Sequence, residues 1–155
     1  MTVNKTTVKL LVGTTQGLLI YHSDAARQRW QIDGPLLAEW SIDSVLGDSR
    51  HGRRIFVGAS HPARGPALFL SEDEGENWTP QQPGLRYAKD GRLTLNRIWQ
   101  IVAGAPSQPD TYYAGVDEAG LFVSQDRALT WQEMPGINYH PTRSGWRGSR
   151  GGLPL

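Results

Sequence analysis

Apolar residues along this chain come in short runs, and turn-forming residues separate each run from the next. The clearest runs are RIFVGAS (Arg54–Ser60), ALFLS (Ala67–Ser71), TYYAGV (Thr111–Val116) and GLFVS (Gly120–Ser124). Each run has the length of a typical strand, and Gly, Pro, Asp and Asn cluster between them. No helical spacing of apolar residues is sustained. The pattern therefore predicts an all-β chain of short antiparallel strands.

The order of these runs repeats along the chain. SEDEGENW, Ser71–Trp78 (the Ser71 turn), follows one run, and SQDRALTW, Ser124–Trp131 (the Ser124 turn), follows its counterpart about 50 residues later. Each unit predicts four strands: Trp40–Leu46, Arg54–Ser60, Ala67–Ser71 and one from Trp78, then Arg97–Val102, Thr111–Val116, Gly120–Ser124 and Thr130–Met134. A third unit opens with KLLVGTT, Lys9–Thr15, which aligns with RIFVGAS and lacks a first strand. Such repeats predict propeller blades.

The two turn segments resemble the Asp-box, or BNR repeat, S-x-D-x-G-x-x-W. The Ser71 turn matches every defined position, and the Ser124 turn has Ala128 where glycine is expected. The chain is thereby similar to soluble bacterial BNR-repeat proteins described as sialidase-like or glycosidase-like. The resemblance implies β-propeller blades and structural Asp-box residues at Ser71, Asp73, Gly75, Trp78, Ser124, Asp126 and Trp131. We interpret both aspartates as acceptors for backbone N–H groups of a tight turn, not as catalytic acids.

The number of units bears on domain organisation, because a propeller closes with about 4–8 blades. The chain carries two full units and one incomplete unit, so we interpret it as the truncated N-terminal part of a longer propeller. We predict a partial propeller over 1–137, with blade pieces 8–35, 38–83 and 96–135, and a poorly ordered, unfinished interblade segment over 138–155. Its open blade faces are expected to self-associate.

Composition and charge narrow the classes of function. The chain has 16 basic and 15 acidic residues and a formal net charge of +1, which predicts neither a nucleic-acid nor a membrane partner. Cysteine is absent, and the start of the chain has no apolar run of signal-peptide length. We therefore expect a cytoplasmic protein, and the resemblance suggests a bacterial source. The four histidines lack metal-ligand spacing, so we predict no metal site and no cofactor.

Strand alternation indicates where a ligand would bind. Because strands alternate in direction, the Ser71 and Ser124 turns share one end of the sheets, and the other end carries the remaining loops. The predicted ligand-binding residues at that other end are Trp40, His61, Arg64, Arg97, Trp99 and Glu118. Aromatic and arginine side chains suit a small glycan, a carboxylate or a peptide, and the sequence does not choose among them.

Two classes of function remain open. The first is a binding or assembly module. The alternative is a glycoside hydrolase, sialidase-like or xyloglucan-active, whose remaining site residues lie beyond this chain. No catalytic residue is identified: the opening VKLLVGTT has no arginine, and Arg53–Phe56 and Asn96–Trp99 contain Arg-Ile without the proline of a sialidase motif. The acids outside the turns, including Asp43 and Asp117-Glu118, are interpreted as solvated.

The alternation of apolar positions also predicts a core. Its members are Leu11, Leu19, Ile42, Val45, Ile55, Val57, Leu68, Leu70, Ile98, Ile101, Tyr113, Ala114, Leu121 and Val123.

Overall fold

The structure is a computed structural model, and it describes residues 8–88 and 93–146. Half of the chain is strand and 5% is helix, as the short apolar runs predict. The described strands are β1 (Val8–Thr14), β2 (Gly17–Ser23), β3 (Trp30–Leu36), β4 (Ser41–Asp48), β5 (Arg54–His61), β6 (Gly65–Ser71), β7 (Thr79–Pro80), β8 (Arg97–Ala103), β9 (Tyr112–Asp117), β10 (Gly120–Ser124) and β11 (Gln132–Glu133). A single-turn helix, α1 (Pro135–Asn138), and a 3₁₀ turn, Arg143–Gly145, follow them.

The described strands form three antiparallel sheets in chain order. The first sheet has the order β1-β2-β3, the second β4-β5-β6-β7 and the third β8-β9-β10-β11. Each strand pairs with its neighbour in the chain because the connections within a sheet are mostly too short to reach elsewhere. One such connection joins β1 to β2, where Thr14 pairs with Gly17 and Gly17 takes a φ of 111°. Three- and four-stranded meanders are what the repeated runs predict.

Among the described residues, the first sheet has no counterpart of the innermost strand of the other two sheets. A side chain added at Gly13 of β1 would meet Ile42 of β4, with Ile42 Cγ2 at 2.8 Å. One added at Gly58 of β5 would meet Ile98 of β8 in the same way, with Ile98 Cβ also at 2.8 Å. Thus β1 packs on β4 as β5 packs on β8. The strands β1, β2 and β3 therefore correspond to the second, third and fourth strands of the other sheets.

The core lies in two layers, one on each side of the second sheet. Successive side chains of a strand point to opposite faces, so Ile55 and Val57 of β5 face the first sheet, and Phe56 faces the third. One layer joins the first and second sheets through Leu18, Ile20, Trp40, Ile42, Ile55, Val57, Ala59 and Phe69. The other contains Phe56, Leu68, Leu70, Leu85, Ile98, Ile101, Tyr112, Ala114, Val116, Phe122 and Ala128.

Four of the predicted core residues are not in the buried core. Leu19, Tyr113, Leu121 and Val123 are only half-buried. They lie on the outer faces of the first and third sheets, where no described sheet covers them, and their chain neighbours Leu18, Tyr112 and Phe122 are buried instead. Leu11 and Val45 are partly buried against the first layer. The remaining members are buried: Ile42, Ile55, Val57, Leu68, Leu70, Ile98, Ile101 and Ala114.

The segment after β11 begins with ordered contacts. Asn138 is 1% exposed, and its side chain donates to Leu121 O at 3.2 Å and accepts from Leu121 N at 2.8 Å. This amide continues the pairing along the edge of β10 where β11 stops. Of the segment predicted to be poorly ordered, 138–155, residues 147–155 lie outside the described part of the chain.

We predict opposite effects of alanine at two equivalent glycines, Gly58 in RIFVGAS and Gly115 in TYYAGVD. A Cβ at Gly58 would lie 2.4 Å from Ser44 Oγ and 2.8 Å from Ile98 Cβ, whereas a Cβ at Gly115 would meet nothing within 4 Å. Gly58→Ala should lower the free energy of unfolding by about 1–3 kcal/mol through overpacking. Gly115→Ala should be neutral or stabilising by up to about 1 kcal/mol. Urea unfolding measures both, and equal losses would contradict this packing.

Candidate ligand-binding site

The Ser71 turn is held by its own serine and aspartate. Ser71 Oγ donates to Asp73 Oδ1 at 2.8 Å and accepts from Gly75 N at 2.8 Å. Asn77 donates its backbone N–H to Asp73 Oδ1 at 2.9 Å and its amide to Asp73 Oδ2 at 2.7 Å. These four hydrogen bonds close the turn between β6 and β7. Both carboxylate oxygens are engaged within the turn.

The Ser124 turn repeats this geometry between β10 and β11. Ser124 Oγ donates to Asp126 Oδ1 at 2.7 Å and accepts from Ala128 N at 2.9 Å. Thr130 N donates to Asp126 Oδ1 at 2.9 Å, as Asn77 N does to Asp73. Ala128 takes a φ of 66°, the left-handed conformation that its alignment with Gly75 predicts. Its methyl group is fully buried in the layer between the second and third sheets.

The tryptophans that close the three turns differ in their surroundings. The indole N–H of Trp78 donates to Gly75 O at 3.0 Å, and that of Trp30 donates to Arg27 O at 3.1 Å. Trp78 and Trp131 are half-buried against the two core layers, whereas Trp30 is 39% exposed. The buried Nε1 of Trp131 has no hydrogen-bond partner among the described residues. The burial of each tryptophan ring therefore depends on the sheets that pack around it.

At the opposite end of the sheets, three of the predicted ligand-binding residues come together. The ring of Trp40 lies 5.3 Å from that of His61 and 4.9 Å from that of Phe69. The Arg64 guanidinium stands 5.5 Å from the centre of the Trp40 ring and pairs with Glu39. Trp40 is only 9% exposed and forms the buried part of this cluster, whereas the Arg64 side chain is accessible to solvent.

Trp99, another of the predicted ligand-binding residues, lies at a β-bulge of β8 that matches a bulge of β4. The register of β4 shifts between Ile42 and Ser44, and that of β8 shifts between Ile98 and Gln100. The extra residues are Asp43 in β4 and Trp99 in β8. A bulge re-aims the side chain of its extra residue and is common beside functional sites. Both inner strands therefore present an irregular residue at the end away from the Ser71 and Ser124 turns.

Arg97 joins the two bulges across the boundary between the second and third sheets. Its Nη1 lies 3.3 Å from Asp43 Oδ1, and its guanidinium carbon lies 5.3 Å from the centre of the Trp99 ring. Trp99 is 44% exposed, and the Arg97 side chain is 48% exposed. The cluster of Asp43, Arg97 and Trp99, here called the bulge cluster, combines a carboxylate, a guanidinium and an accessible indole.

The burial of Asp43 shows that the prediction of solvated acids outside the turns was wrong for this residue. Its side chain is 3% exposed, and its buried Oδ2 has no hydrogen-bond partner among the described residues. Burial raises the pKa of Asp43, and a hydrogen bond from Ser60 and the charge of Arg97 oppose that rise. Asp117 is also buried. In the sequence, Asp43 stands out only as an acid near apolar residues of an inner strand. The spacing of those apolar residues does not predict the bulge that buries it.

Glu118 is the remaining predicted ligand-binding residue. It occupies the turn between β9 and β10, and its carbonyl oxygen accepts a hydrogen bond from the Arg143 guanidinium. Nearby, Tyr87 packs its ring 5.0 Å from Phe122, and burial raises its pKa to about 12. The sequence did not single out Tyr87 as a packing residue. Its buried hydroxyl has no hydrogen-bond partner among the described residues.

The described part of the chain contains neither a metal-binding cluster nor a membrane-spanning helix. No group of three or more His, Cys, Asp or Glu residues there is arranged to hold a metal ion. None of its helices combines the length and apolar character needed to cross a bilayer.

Comparison with known proteins shows the class of fold. No family model matches the chain, and no curated protein does. One similar solved structure is YCF48 bound to D1 peptide, with a TM-score of 0.50, 14% identity, and coverage of 86% of this chain and 41% of that chain. Another is YCF48 from Cyanidioschyzon merolae, with a TM-score of 0.45, 11% identity, and coverage of 84% and 38% respectively. This chain therefore spans less than half the length of either.

The similarity to the peptide-bound YCF48 structure, together with the antiparallel sheets of the described residues, confirms the predicted fold class. YCF48 is a β-propeller protein, and the antiparallel sheets of the present chain form part of a β-propeller. At such low identity the likeness extends to the fold alone. Membership of the BNR-repeat family and a sialidase-like activity are not shown by these comparisons.

We predict that Gly75 of the Ser71 turn contributes more to stability than Ala128, which occupies the equivalent position of the Ser124 turn. Gly75 has a φ of 103°, and an added Cβ would lie 2.6 Å from Ile20 Cδ1. Gly75→Ala should therefore lower the free energy of unfolding by about 1–2 kcal/mol. In Ala128→Gly, relief of a positive φ offsets the loss of a buried methyl group worth about 0.8 kcal/mol, so stability should hardly change. Chemical denaturation compares the two, and a large effect of Ala128→Gly would contradict the prediction.

We also predict an acid-dependent contribution from Asp73. Hydrogen bonds from Asn77 and Ser71 lower the pKa of Asp73 to about 2. Because this pKa is below the usual value of about 4, the stabilisation is complete above about pH 4 and is lost as the pH falls through about 2. The stability gap between the native chain and Asp73→Asn should thus narrow between about pH 5 and pH 2. Denaturation at each pH measures it, with Glu76→Gln as the control, and a constant gap would refute the assignment.

Proposed function

We propose that this chain is a binding module that holds an extended peptide segment of a partner protein at the end of the sheets opposite the Ser71 and Ser124 turns. The observation that carries the proposal is the bulge cluster, in which Arg97 of the third sheet reaches Asp43 of the second beside the exposed ring of Trp99.

The first supporting argument is electrostatic. Asp43 Oδ2 is buried without a hydrogen-bond partner among the described residues, which is a costly state for a carboxylate. A ligand N–H would satisfy this oxygen only if the bulge cluster rearranged on binding, because the atom has almost no exposed surface in the free chain. Arg97, half-exposed beside it, offers guanidinium N–H groups to a ligand carbonyl. Alternating N–H and C=O groups are what an extended peptide backbone presents.

The second argument concerns shape. Trp99 is 44% exposed beside this polar pair, so a ligand side chain can pack on its ring. The Trp40, His61 and Arg64 cluster stands at the same end of the second sheet, where the mostly exposed Arg64 can contact a flanking acidic residue. Glu118 lies at this end of the third sheet and would meet the other flank of an extended ligand.

A peptide is favoured over the other two ligand classes. A carboxylate ligand at Arg97 would compete with the carboxyl group of Asp43, whose Oδ1 already lies 3.3 Å from Arg97 Nη1. The similar YCF48 structure was solved with a D1 peptide, and its fold likeness supports a protein-binding or assembly role in general. The glycan and glycoside hydrolase alternatives have no support from the comparisons and are kept as outcomes of the test.

The test selects peptides from a random display library on the native chain and measures their affinity for variants. The double variant Arg97→Ala, Trp99→Ala should bind selected peptides at least about tenfold more weakly, as expected for central aromatic and arginine contacts. The matched control Trp30→Ala removes a similarly exposed indole at the other end and should leave affinity unchanged. Unfolding curves establish that each variant folds.

Two outcomes would refute the proposal. One is peptide affinity that survives the double variant but is lost in Trp30→Ala. The other is turnover of glycan or sialoside substrates that the double variant abolishes, since this would make the site catalytic.

A further inference from the structure

A small cavity lies between the second and third sheets, at the end opposite the Ser71 and Ser124 turns. Its volume is about 110 Å³. Its lining includes Pro66, near the start of β6, and Ile98, near the start of β8, and both strands start at this end of their sheets. The cavity therefore lies at the same end of the same two sheets as the bulge cluster.

The apolar lining of the cavity belongs to the core layer between these two sheets. Leu68, Leu85 and Ile98 are buried members of that layer, and Leu95 is half-buried against it. Because side chains of a packed core hold fixed positions, the shape of the cavity exists before a ligand binds. Arg86 also lines the cavity and is exposed, so the polar part of the lining faces solvent.

The volume of the cavity limits what can occupy it. Pockets for whole small molecules usually measure about 300–1,000 Å³, so a cavity of about 110 Å³ is too small for a glycan unit. A cavity of about 150 Å³ accommodates benzene, so this one is also small for an aromatic side chain. The branched aliphatic side chains of Val, Ile and Leu suit both the volume and the apolar lining.

Ile98 connects the cavity to the bulge cluster. It lines the cavity and stands between Arg97 and Trp99 in β8. In the second sheet, Asp43 belongs to β4, and the cavity borders β6, two strands away. Because neighbouring strands are about 4.8 Å apart, the bulge cluster and the cavity are separated by about 10 Å. An extended peptide covers that distance in about three residues.

We infer that this cavity holds a branched aliphatic side chain of the peptide segment that the bulge cluster binds. The inference rests on the proposed function and adds a sequence requirement to it. The ligand carries Val, Ile or Leu about three residues from the residue that packs on the Trp99 ring. Contacts of Arg97 with backbone carbonyls are open to any peptide, because every peptide has these groups. The cavity is therefore the feature that selects one peptide sequence over another.

The first test uses the native chain and a peptide selected on it from the random display library. Double-mutant cycles between peptide substitutions and Trp99→Ala identify the peptide residue that packs on that ring. A Val, Ile or Leu about three residues away should then prove essential. Its replacement by Ala should weaken binding at least about tenfold through lost apolar burial. Its replacement by Phe should weaken binding as well, because the ring is too large for the cavity.

The second test enlarges the cavity with Leu95→Ala. The affinity of the Phe-bearing peptide relative to the original peptide should rise at least about tenfold, because the removed side chain makes room for the ring. Leu95 is only half-buried, so this variant should keep the fold, and unfolding curves check it. The matched control is Leu46→Ala, which removes the same atoms beside the same core layer but away from the cavity. It should leave the preference unchanged.

The outcomes separate this inference from the proposed function. If the Arg97→Ala, Trp99→Ala variant loses affinity but Leu95→Ala leaves the preference for Leu over Phe unchanged, the proposed function stands and the cavity is not its side-chain pocket. An equal shift of preference in Leu46→Ala would trace the effect to a loosened core and would also overturn the inference. Peptides that ignore the double variant overturn the proposed function and the inference with it, as does a library that yields no peptide.

Discussion

The described structure depends on one kind of packing contact. In it, an isoleucine of an innermost strand packs directly against a glycine of the preceding sheet. Ile42 sits on Gly13, and Ile98 sits on Gly58, each so closely that no Cβ fits. The close approach sets the separation of neighbouring sheets and determines which side chains meet between them. It also explains why the second sheet is buried on both faces, while the first and third sheets each keep one half-exposed face.

The candidate site follows from this stacking. When two inner strands stand side by side, the bulge of β4 and the bulge of β8 come to the same end, and Arg97 can reach Asp43 between sheets. At the other end, the same arrangement lets the Asp48 carboxylate reach the Tyr112 hydroxyl and lets Arg54 donate to Arg127 O at 3.0 Å. Polar residues of both ends thus tie one sheet to the next.

Much of the local structure was readable from the sequence because it depends on short-range physics. A serine and an aspartate placed two residues apart hold a turn by local hydrogen bonds, so the Ser71 and Ser124 turns could be predicted, as could the positive φ of Ala128. Alternation along β5 and β6 also identified Ile55, Val57, Leu68 and Leu70 as core residues. The similarity of the repeats extended these predictions from one sheet to the others.

What the sequence alone determined is therefore the strands, the turns and their repetition, since these follow from backbone preferences and side-chain spacing over a few residues. Only the tertiary structure decided burial at the outer faces and the chemistry of the site. Leu19, Tyr113, Leu121 and Val123 have core-like patterns and remain half-buried, because burial depends on a neighbouring sheet that spacing does not reveal. The burial of Asp43 also depends on tertiary contacts. A bulge in β4 turns its side chain toward Arg97 of β8, a strand far away in the sequence.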